Sequence, residues 1–402
     1  MLWVASFSLG GAGLDIERLW HTLRWLKPAQ LFAQIGHRVG GRFERVAAFA
    51  RRPVPAFPGV GWRPTGEWLE PGAGRNPTDA LLRGEFVFLN RSEQLGLPPR
   101  DWEPREPARL WVYNLHYFEW LWALPFERGA AIARDWIARH DLARGRTGWE
   151  PYPVSLRLET WCAYFFDRHR EETLADGALC SELWESIHRQ AEWLAAHLET
   201  HLLGNHLFEN AGALAFAGAC FSGPAADRWR RLGCDLLEQE LAEQILPDGG
   251  HFERSPLYQA RIAWVLRALA WTGHADLEAR VSAPLARSRE ALAHLVHPDG
   301  EIALLNDSAI GIANPPAAIG SAEPPAAVFA LPDTGYFGAR SAARHYVVCD
   351  AAPVGPDYIP GHAHGDMLSF ELSLSGQRVF VDTGVFDYEP GEPSSRYRSR
   401  HR

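Results

Sequence analysis

Between Leu110 and Val296 the hydrophobic positions recur at helical spacing, in segments set apart by Gly or Pro, and nothing between them alternates as a strand would. WVYNLHYFEWLWAL, RGAAIARDWIARHDLA, SLRLETWCAYFFDRHR and LCSELWESIHRQAEWLAAHLETHLL come first. ADRWRRLGCDLLEQELAEQIL, SPLYQARIAWVLRALAWTG and DLEARVSAPLARSREALAHLV come last. Each has the length and pattern of an amphipathic helix. A succession of such hairpins predicts a helical toroid or solenoid, without any sequence repeat of fixed period. Between the two groups lies HLLGNHLFENAGALAFAGACF at 201 to 221, whose back half is Gly and Ala around Leu214 and Phe216. Residues that small let helices approach closely, so this helix is expected in the core.

The pattern differs on either side. Residues 15 to 49 read as a basic amphipathic helix, a possible docking arm, and residues 51 to 105 as an irregular, Pro-, Gly- and Arg-rich leader with a short strand in GEFVFLN. IANPPAAIGSAEPPAAV at 312 to 328 cannot continue a helix and reads as a linker. Strands follow, in HYVVCDA and then in LSFELSLSGQRVFVD, where Phe370, Leu372 and Leu374 alternate with polar residues before a turn at Gly376. The domain limits predicted are 1–105 for the arm and leader, 106–311 for the helices, 312–330 for the linker and 331–402 for a partial sheet domain.

Composition narrows the class. With 402 residues, 47% of them hydrophobic, the chain can bury a large core in more than one domain. Lys and Arg number 40 against 49 Asp and Glu, a net charge of −9, so no global field favours nucleic acid, and an anionic ligand needs a locally basic site. Seventeen Trp, 20 Phe and 10 Tyr suit either helix packing or stacking on sugar rings, and composition does not separate the two. Five Cys without paired short spacing predict buried thiols rather than disulfides or zinc fingers. MLWVASFSLGG lacks a basic n-region and a cleavage site, and no run of about eighteen apolar residues occurs. A cytoplasmic location is the expectation, with the periplasm as alternative.

Three polar clusters carry candidate chemistry. Asn205 follows Gly204 at the place of a helix cap, with His206, Glu209 and Asn210 in the next turns. Unpaired N–H groups at a helix start can hold an anion there, a carboxylate foremost. The plainer reading is a buried helix whose polar residues cap and satisfy backbone groups. In DGGHFERSPLYQ, Ser255 and Pro256 read as cap and first helical position, and Tyr258 and His251 flank the helix start. A phenol near a positive helix end and a cation has its ionised form favoured, as proton transfer requires, while the competing role is packing of its ring. In IPGHAHGDMLSF, His362 and His364 share a face if the segment is a strand, a two-ligand metal spacing that Asp382 on the paired strand could extend. The rival is a polar loop. LLNDSAIG at 304 to 311 reads as a turn.

Taken together, HLLGNHLFENAGALAFAG, DGGHFERSPLYQ, LLNDSAIGIA, GYFGARS, DYIPGHAHGDMLSFELS and VFVDTGVFDYEPG, preceded by WVYNLHYFEWL and WEPYPVSLRLETW, resemble the heparinase II/III family of polysaccharide lyases over nearly the whole chain. The resemblance implies an α+β multidomain protein, an N-terminal incomplete (α/α) toroid followed by the start of an antiparallel β-sandwich. It implies β-elimination on a uronic-acid-containing acidic polysaccharide. Asn205 and His206 match the family's carboxylate-neutralising pair, and Tyr258 and His362 its catalytic tyrosine and histidine. Glu209, His251 and Arg157 of YPVSLR are expected to contact substrate. His364 and Asp382 match two ligands of a structural divalent metal, usually zinc.

The third ligand is a histidine in an R-S-x-x-A-H-N-T-like segment, where this chain reads RYRSRHR and offers His401. Further strands are implied past Arg402, so the chain is expected to be a truncated product or to be completed by another polypeptide, with strand edges and an apolar face exposed. Two rivals stand beside the lyase. One is a family member that binds polysaccharide without cleaving it. The other is a glycoside hydrolase that pairs carboxylates from among Glu209, Asp248, Glu253 and Asp307.

Overall fold

The computed structural model describes residues 24–28, 30, 49, 52–68, 76–140, 142, 147–321 and 324–386. The arm expected over 15–49 lies outside them apart from a few positions, and the basic tail with His401 lies outside them entirely. The protein is α+β. Its longer helices are Arg109–Tyr117 (α1), Phe126–Arg139 (α2), Pro151–Ala163 (α3), Gly177–Ala196 (α4), Gly204–Cys220 (α5), Pro224–Gln244 (α6), Pro256–Trp271 (α7) and Ala275–His294 (α8). Helices α3, α6 and α7 start with Pro in the first turn, where its missing N–H costs no hydrogen bond.

Helix α5 is buried almost throughout, and its small residues are what allow this. A Cβ on Gly212 would lie 2.5 Å from Val265 Cγ1 of α7, and one on Gly218 would lie 2.5 Å from Arg230 N of α6. The indoles of Trp111, Trp120, Trp136, Trp161, Trp229 and Trp264 are fully buried, so much of the aromatic content fills the core between helices rather than lining a surface.

The leader is wrapped onto this core. Strands Glu85–Phe88 (β1) and Arg91–Gln94 (β2) form a hairpin whose Phe86 and Phe88 meet Trp120 and Trp111 edge-on, at 4.9 Å in each case. A second sheet runs Val328–Leu331 (β3), Tyr336–Arg340 (β4), Tyr346–Asp350 (β5), Phe370–Leu374 (β6) and Gln377–Phe380 (β7), antiparallel and in chain order. The expected hairpin is β6–β7, with a register shift between Leu372 and Ser373. The stretch read as a linker is more structured than its composition suggests, since it holds a helical turn, Pro316–Ile319, and the start of β3.

One face of the sheet packs Phe329, Leu331, Tyr336, Tyr346 and Val348 against Ala291 of α8 and the following Leu295. Buried His297, just past α8, adds a polar tie, with Nδ1 2.7 Å from Ser373 Oγ and Nε2 2.6 Å from Glu371 Oε2. The other face leaves Val328, Phe337, Phe370, Leu374 and Phe380 exposed. Among the described residues no helix is long and apolar enough to cross a membrane.

Candidate active site

Helix α5 starts abruptly. Leu203 and Gly204 both have positive φ, 63° and 57°, and a Cβ on Gly204 would collide with Glu253 Oε1 and lie 2.8 Å from Ile359 Cδ1. Glycine is therefore required there by both torsion and space. Asn205 is the second helical residue rather than the cap expected from sequence, because its side chain is drawn elsewhere. Its backbone N–H donates to Glu253 Oε1 at 2.8 Å, and its Nδ2 donates to Glu253 Oε2 at 2.9 Å. The anion at this helix start is thus the protein's own carboxylate. Gly204→Ala is expected to lower the unfolding free energy by roughly 1–3 kcal/mol, measured by urea denaturation, because it combines strain at positive φ with overpacking.

Asn205 Nδ2 also lies 3.2 Å from His362 Nε2. His362 Nδ1 is 2.6 Å from Asp307 Oδ2, a carboxylate that can only accept, so Nδ1 carries the proton and Nε2 of the neutral ring holds the lone pair. Half-buried Tyr258, in the first turn of α7, sets its ring 3.9 Å from that of His362, centroid to centroid. Asn205, Tyr258 and His362 are therefore brought together from α5, α7 and the segment before β6. His206, next in the chain to Asn205, turns its side chain to other partners, with Nδ1 3.1 Å from Glu199 Oε1 and its ring 4.6 Å from that of Tyr152. Asn210 donates to the other Glu199 oxygen at 3.0 Å.

His362 does not sit on a strand sharing a face with His364. Pro360–His362 is one turn of 3-10 helix, and irregular chain follows. The segment is held by the LLNDS turn: Asp307 N–H donates to His362 O at 3.2 Å, His364 N–H to Asn306 Oδ1 at 3.1 Å, and Asn306 N–H to Asp366 Oδ2 at 2.5 Å. The same turn caps α7 from outside. Ser255, expected as that cap, gives its hydroxyl to Asp307 O at 2.9 Å, and Ser308 Oγ accepts the Leu257 N–H at 3.2 Å.

Burial alone would raise the carboxyls of Glu253 and Asp307, but their partners outweigh it. His362 and His251, in their protonated forms, together with the hydrogen bonds from Asn205, hold Glu253 below the usual carboxylate range. For Asp307 the hydrogen bond and charge of His362 dominate. A depressed carboxylate stabilises the fold above its unfolded pKa, about 4, and that contribution disappears as pH falls through the folded value. Unfolding free energy is therefore expected to drop as pH falls from about 5 through the unfolded value and on through the lowered folded values. A denaturant series in Asp307→Asn should show a shallower drop; an identical slope counts against this pairing.

Three residues expected to contact substrate are buried and already partnered. Arg157 is fully buried, its Nε donating to Gln190 Oε1 at 2.8 Å, Nη1 to His116 O at 3.0 Å and Nη2 to Gly148 O at 2.8 Å, so it presents no charge to a ligand. Glu209 is buried in an ion pair with Arg261, Nε to Oε1 2.5 Å. His251 is buried with Nε2 2.9 Å from Gln244 Oε1. What sequence reasoning undervalued was Glu253 and Asp307, which lie 48 and 55 residues from the side chains they hold. No spacing signal marks either.

His364 Nε2 lies 4.0 Å from Asp307 Oδ1, and Asp382 Oδ1 accepts the Gly384 N–H at 2.8 Å. Neither joins two further His, Cys, Asp or Glu ligand atoms among the described residues. The cluster that does converge is Glu103, His116 and His140, which could hold a metal ion. His116 Nδ1, however, accepts the Trp136 indole N–H at 3.2 Å, which leaves the ring proton on Nε2, the atom 3.8 Å from Glu103. Binding through Nε2 requires that tautomer to change. Glu103 Oε1 meanwhile accepts the Thr147 N–H at 2.8 Å, so the cluster already ties the leader to α1 and α2.

Fold and site together define an α+β protein whose helical region and sheet region jointly hold an Asn–His–Tyr constellation. The family description Heparinase II/III N-terminus matches residues 105–315, and Heparinase II/III-like, C-terminal matches 323–401. The chain belongs to the heparinase II/III family. It is 26% identical over 338 residues to a heparin-sulfate lyase of Pedobacter heparinus, covering 72% of this chain and 50% of that one. It is 24% identical over 319 residues to the FtsZ-localized protein C of Caulobacter vibrioides, covering 76% and 53%. It thus spans about half the length of these two relatives. Among solved structures, a heparinase III superposes with a TM-score of 0.65 at 17% identity, over 95% of this chain and 70% of that one. The heparan sulfate lyase HepC of Pedobacter heparinus gives 0.51 at 21%, over 89% and 62%. At these identities the superpositions speak to the fold alone.

Proposed function

We propose that this chain is a polysaccharide lyase that cleaves a uronic-acid-containing acidic polysaccharide by β-elimination. The observation that carries the reading is the Tyr258 ring 3.9 Å from His362, whose Nε2 faces the Asn205 amide. In the reaction a base removes the proton on the carbon beside the uronate carboxyl, the bond to the glycosidic oxygen breaks, a C=C bond forms, and the departing oxygen takes up a proton. Charge building on the carboxyl group needs donors, and on this reading the Asn205 amide, exchanging its Glu253 partner for the substrate, and His206 supply them. The Tyr258 phenol and His362 Nε2 are the two proton-transfer groups, and the sugar's stereochemistry decides which takes and which gives. Asp307 directs the His362 lone pair to Nε2, where the Asn205 amide now meets it and a substrate would displace that contact.

On this reading the helices form the incomplete (α/α) toroid and the sheet is the first layer of the β-sandwich, with His364 and Asp382 offered to a structural zinc ion. One observation favours a second reading, a member that binds polysaccharide without cleaving it: Glu253 already occupies the Asn205 N–H and amide. Incubation with a panel of uronate polymers, following ultraviolet absorbance of the new C=C bond, separates the two. Rising absorbance supports the lyase, and binding without it supports the second reading. New reducing ends without absorbance point to hydrolysis.

A further inference from the structure

Between Asp350 at the end of β5 and Phe370 at the start of β6, a strap over 351–369 carries His362 across to α5. Its base is closed where Leu368 N–H donates to Asp350 O at 2.7 Å and Asp350 N–H to Ser369 O at 2.9 Å. Beyond His362 the LLNDS turn holds it through His364 and Asp366. On the near side, 353–361, the anchor is a different one. Half-buried Tyr358, four residues before His362, donates its hydroxyl to Glu243 Oε1 in the last turn of α6 at 2.6 Å. Among the described residues this is the one hydrogen bond from 353–361 to any residue outside the strap. The next residue, Ile359, packs on the start of α5, where a Cβ on Gly204 would lie 2.8 Å from its Cδ1.

Lys27 of the basic arm completes the arrangement. It pairs with the same Glu243 oxygen and lies over the Tyr358 ring, 4.1 Å from its centre. Buried Gln30 fixes the turn that presents it, with Oε1 accepting the Lys27 N–H at 2.9 Å and Nε2 3.5 Å from Leu202 O, just ahead of α5. Partial burial would raise the Glu243 carboxyl, but hydrogen bonds from Lys27 and Tyr358, with the Lys27 charge, hold it below the usual range. Burial, then the hydrogen bond and charge of Glu243, raise the Tyr358 phenol, so it stays a donor. A half-exposed ion pair alone contributes little; the acceptor shared with the phenol and the stacked ring add to it. We propose that Tyr358, Glu243 and Lys27 form a clasp that positions His362 against Asn205. The assignment rests on the lyase reading above. Asp307 fixes the His362 ring at Nδ1, while the backbone leading into that residue is set by Tyr358 and Ile359. Proton transfer falls steeply when the transferring group is misplaced.

The test follows hydrogen exchange of the strap by mass spectrometry, beside steady-state kinetics on a uronate polymer by C=C absorbance. In Tyr358→Phe the amides of 353–361 are expected to exchange at least about 10-fold faster. Its kcat is expected to fall about 10-fold with KM within about 2-fold, because position rather than binding is lost. A residue that only stabilised the fold would leave kcat per folded molecule unchanged. Glu243→Ala should match Tyr358→Phe, and Glu243→Gln, which keeps an acceptor for the phenol, should stay within about 3-fold of wild type. Lys27→Met should quicken exchange by about 3-fold. Faster exchange in Tyr358→Phe, with no product from the wild-type protein on any uronate polymer, overturns the lyase reading and upholds the clasp. Unchanged exchange in Tyr358→Phe or Lys27→Met, with product still formed, overturns the clasp and leaves the lyase standing. Faster exchange with kcat unmoved, or Glu243→Gln as damaged as Glu243→Ala, also overturns the clasp.

Discussion

Tyr258→Phe is expected to slow formation of the unsaturated product by at least about 100-fold, the usual contribution of a positioned proton-transfer group. The substitution removes one oxygen and keeps the ring, so the 3.9 Å contact with His362 and the start of α7 survive. Melting temperature should stay within about 2 °C, since a half-buried hydroxyl contributes little net stability. His362→Ala also abolishes product but is a poorer probe, because it leaves the buried carboxylates of Asp307 and Glu253 facing a hole. Product formation within a few-fold of wild type in Tyr258→Phe would remove the phenol from the chemistry.

Arg157 is expected to give the largest loss of stability. Its guanidinium is wholly buried, with no carboxylate partner among the described residues, satisfied by Gln190 and by the carbonyls of His116 and Gly148, and it lies 4.2 Å from the centre of the Trp136 ring. Burial pulls its pKa well below the ordinary arginine value, a sign of how much desolvation the fold tolerates there. Arg157→Lys cannot reproduce a three-way planar fork, so two of the three acceptors are left unsatisfied in the core. A loss of about 3 kcal/mol or more is expected by urea denaturation at pH 7. A loss below about 1 kcal/mol would mean that water reaches these groups. The His116 and Gly148 carbonyls anchor α1 to the turn before α3, so the damage should spread through the helical region and lower activity only in proportion to the fraction unfolded.

The same residue shows where sequence reading stops. In YPVSLR an arginine near the middle of an amphipathic helix looks like a charge available to the cleft, because pattern alone does not reveal that both faces of α3 are covered. Ser255 does hold the N-cap position, but its hydroxyl does not cap, and Asn205 lies inside its helix, for a related reason. Capping is inferred from neighbours in the chain, and both side chains found stronger partners far along it, Asp307 O for one and Glu253 for the other. Alternation puts His362 and His364 on one face only if the segment is a strand, and the rival loop reading is the one the structure contains, where Pro360 and Gly361 favour a tight turn.

By itself the sequence determined the local and additive features: eight long helices in the predicted order, the β6–β7 hairpin, the small-residue seam along α5, and the residue types gathered at the site. Periodicity and turn chemistry act over a few residues, so they can be read from a few residues. Only the tertiary structure decided that Glu253 occupies the start of α5, that Asp307 orients His362, and that Arg157 belongs to the core. These pairings cross about 30 to 55 residues of chain, and each is settled by which buried polar group has no better partner once the helices have packed.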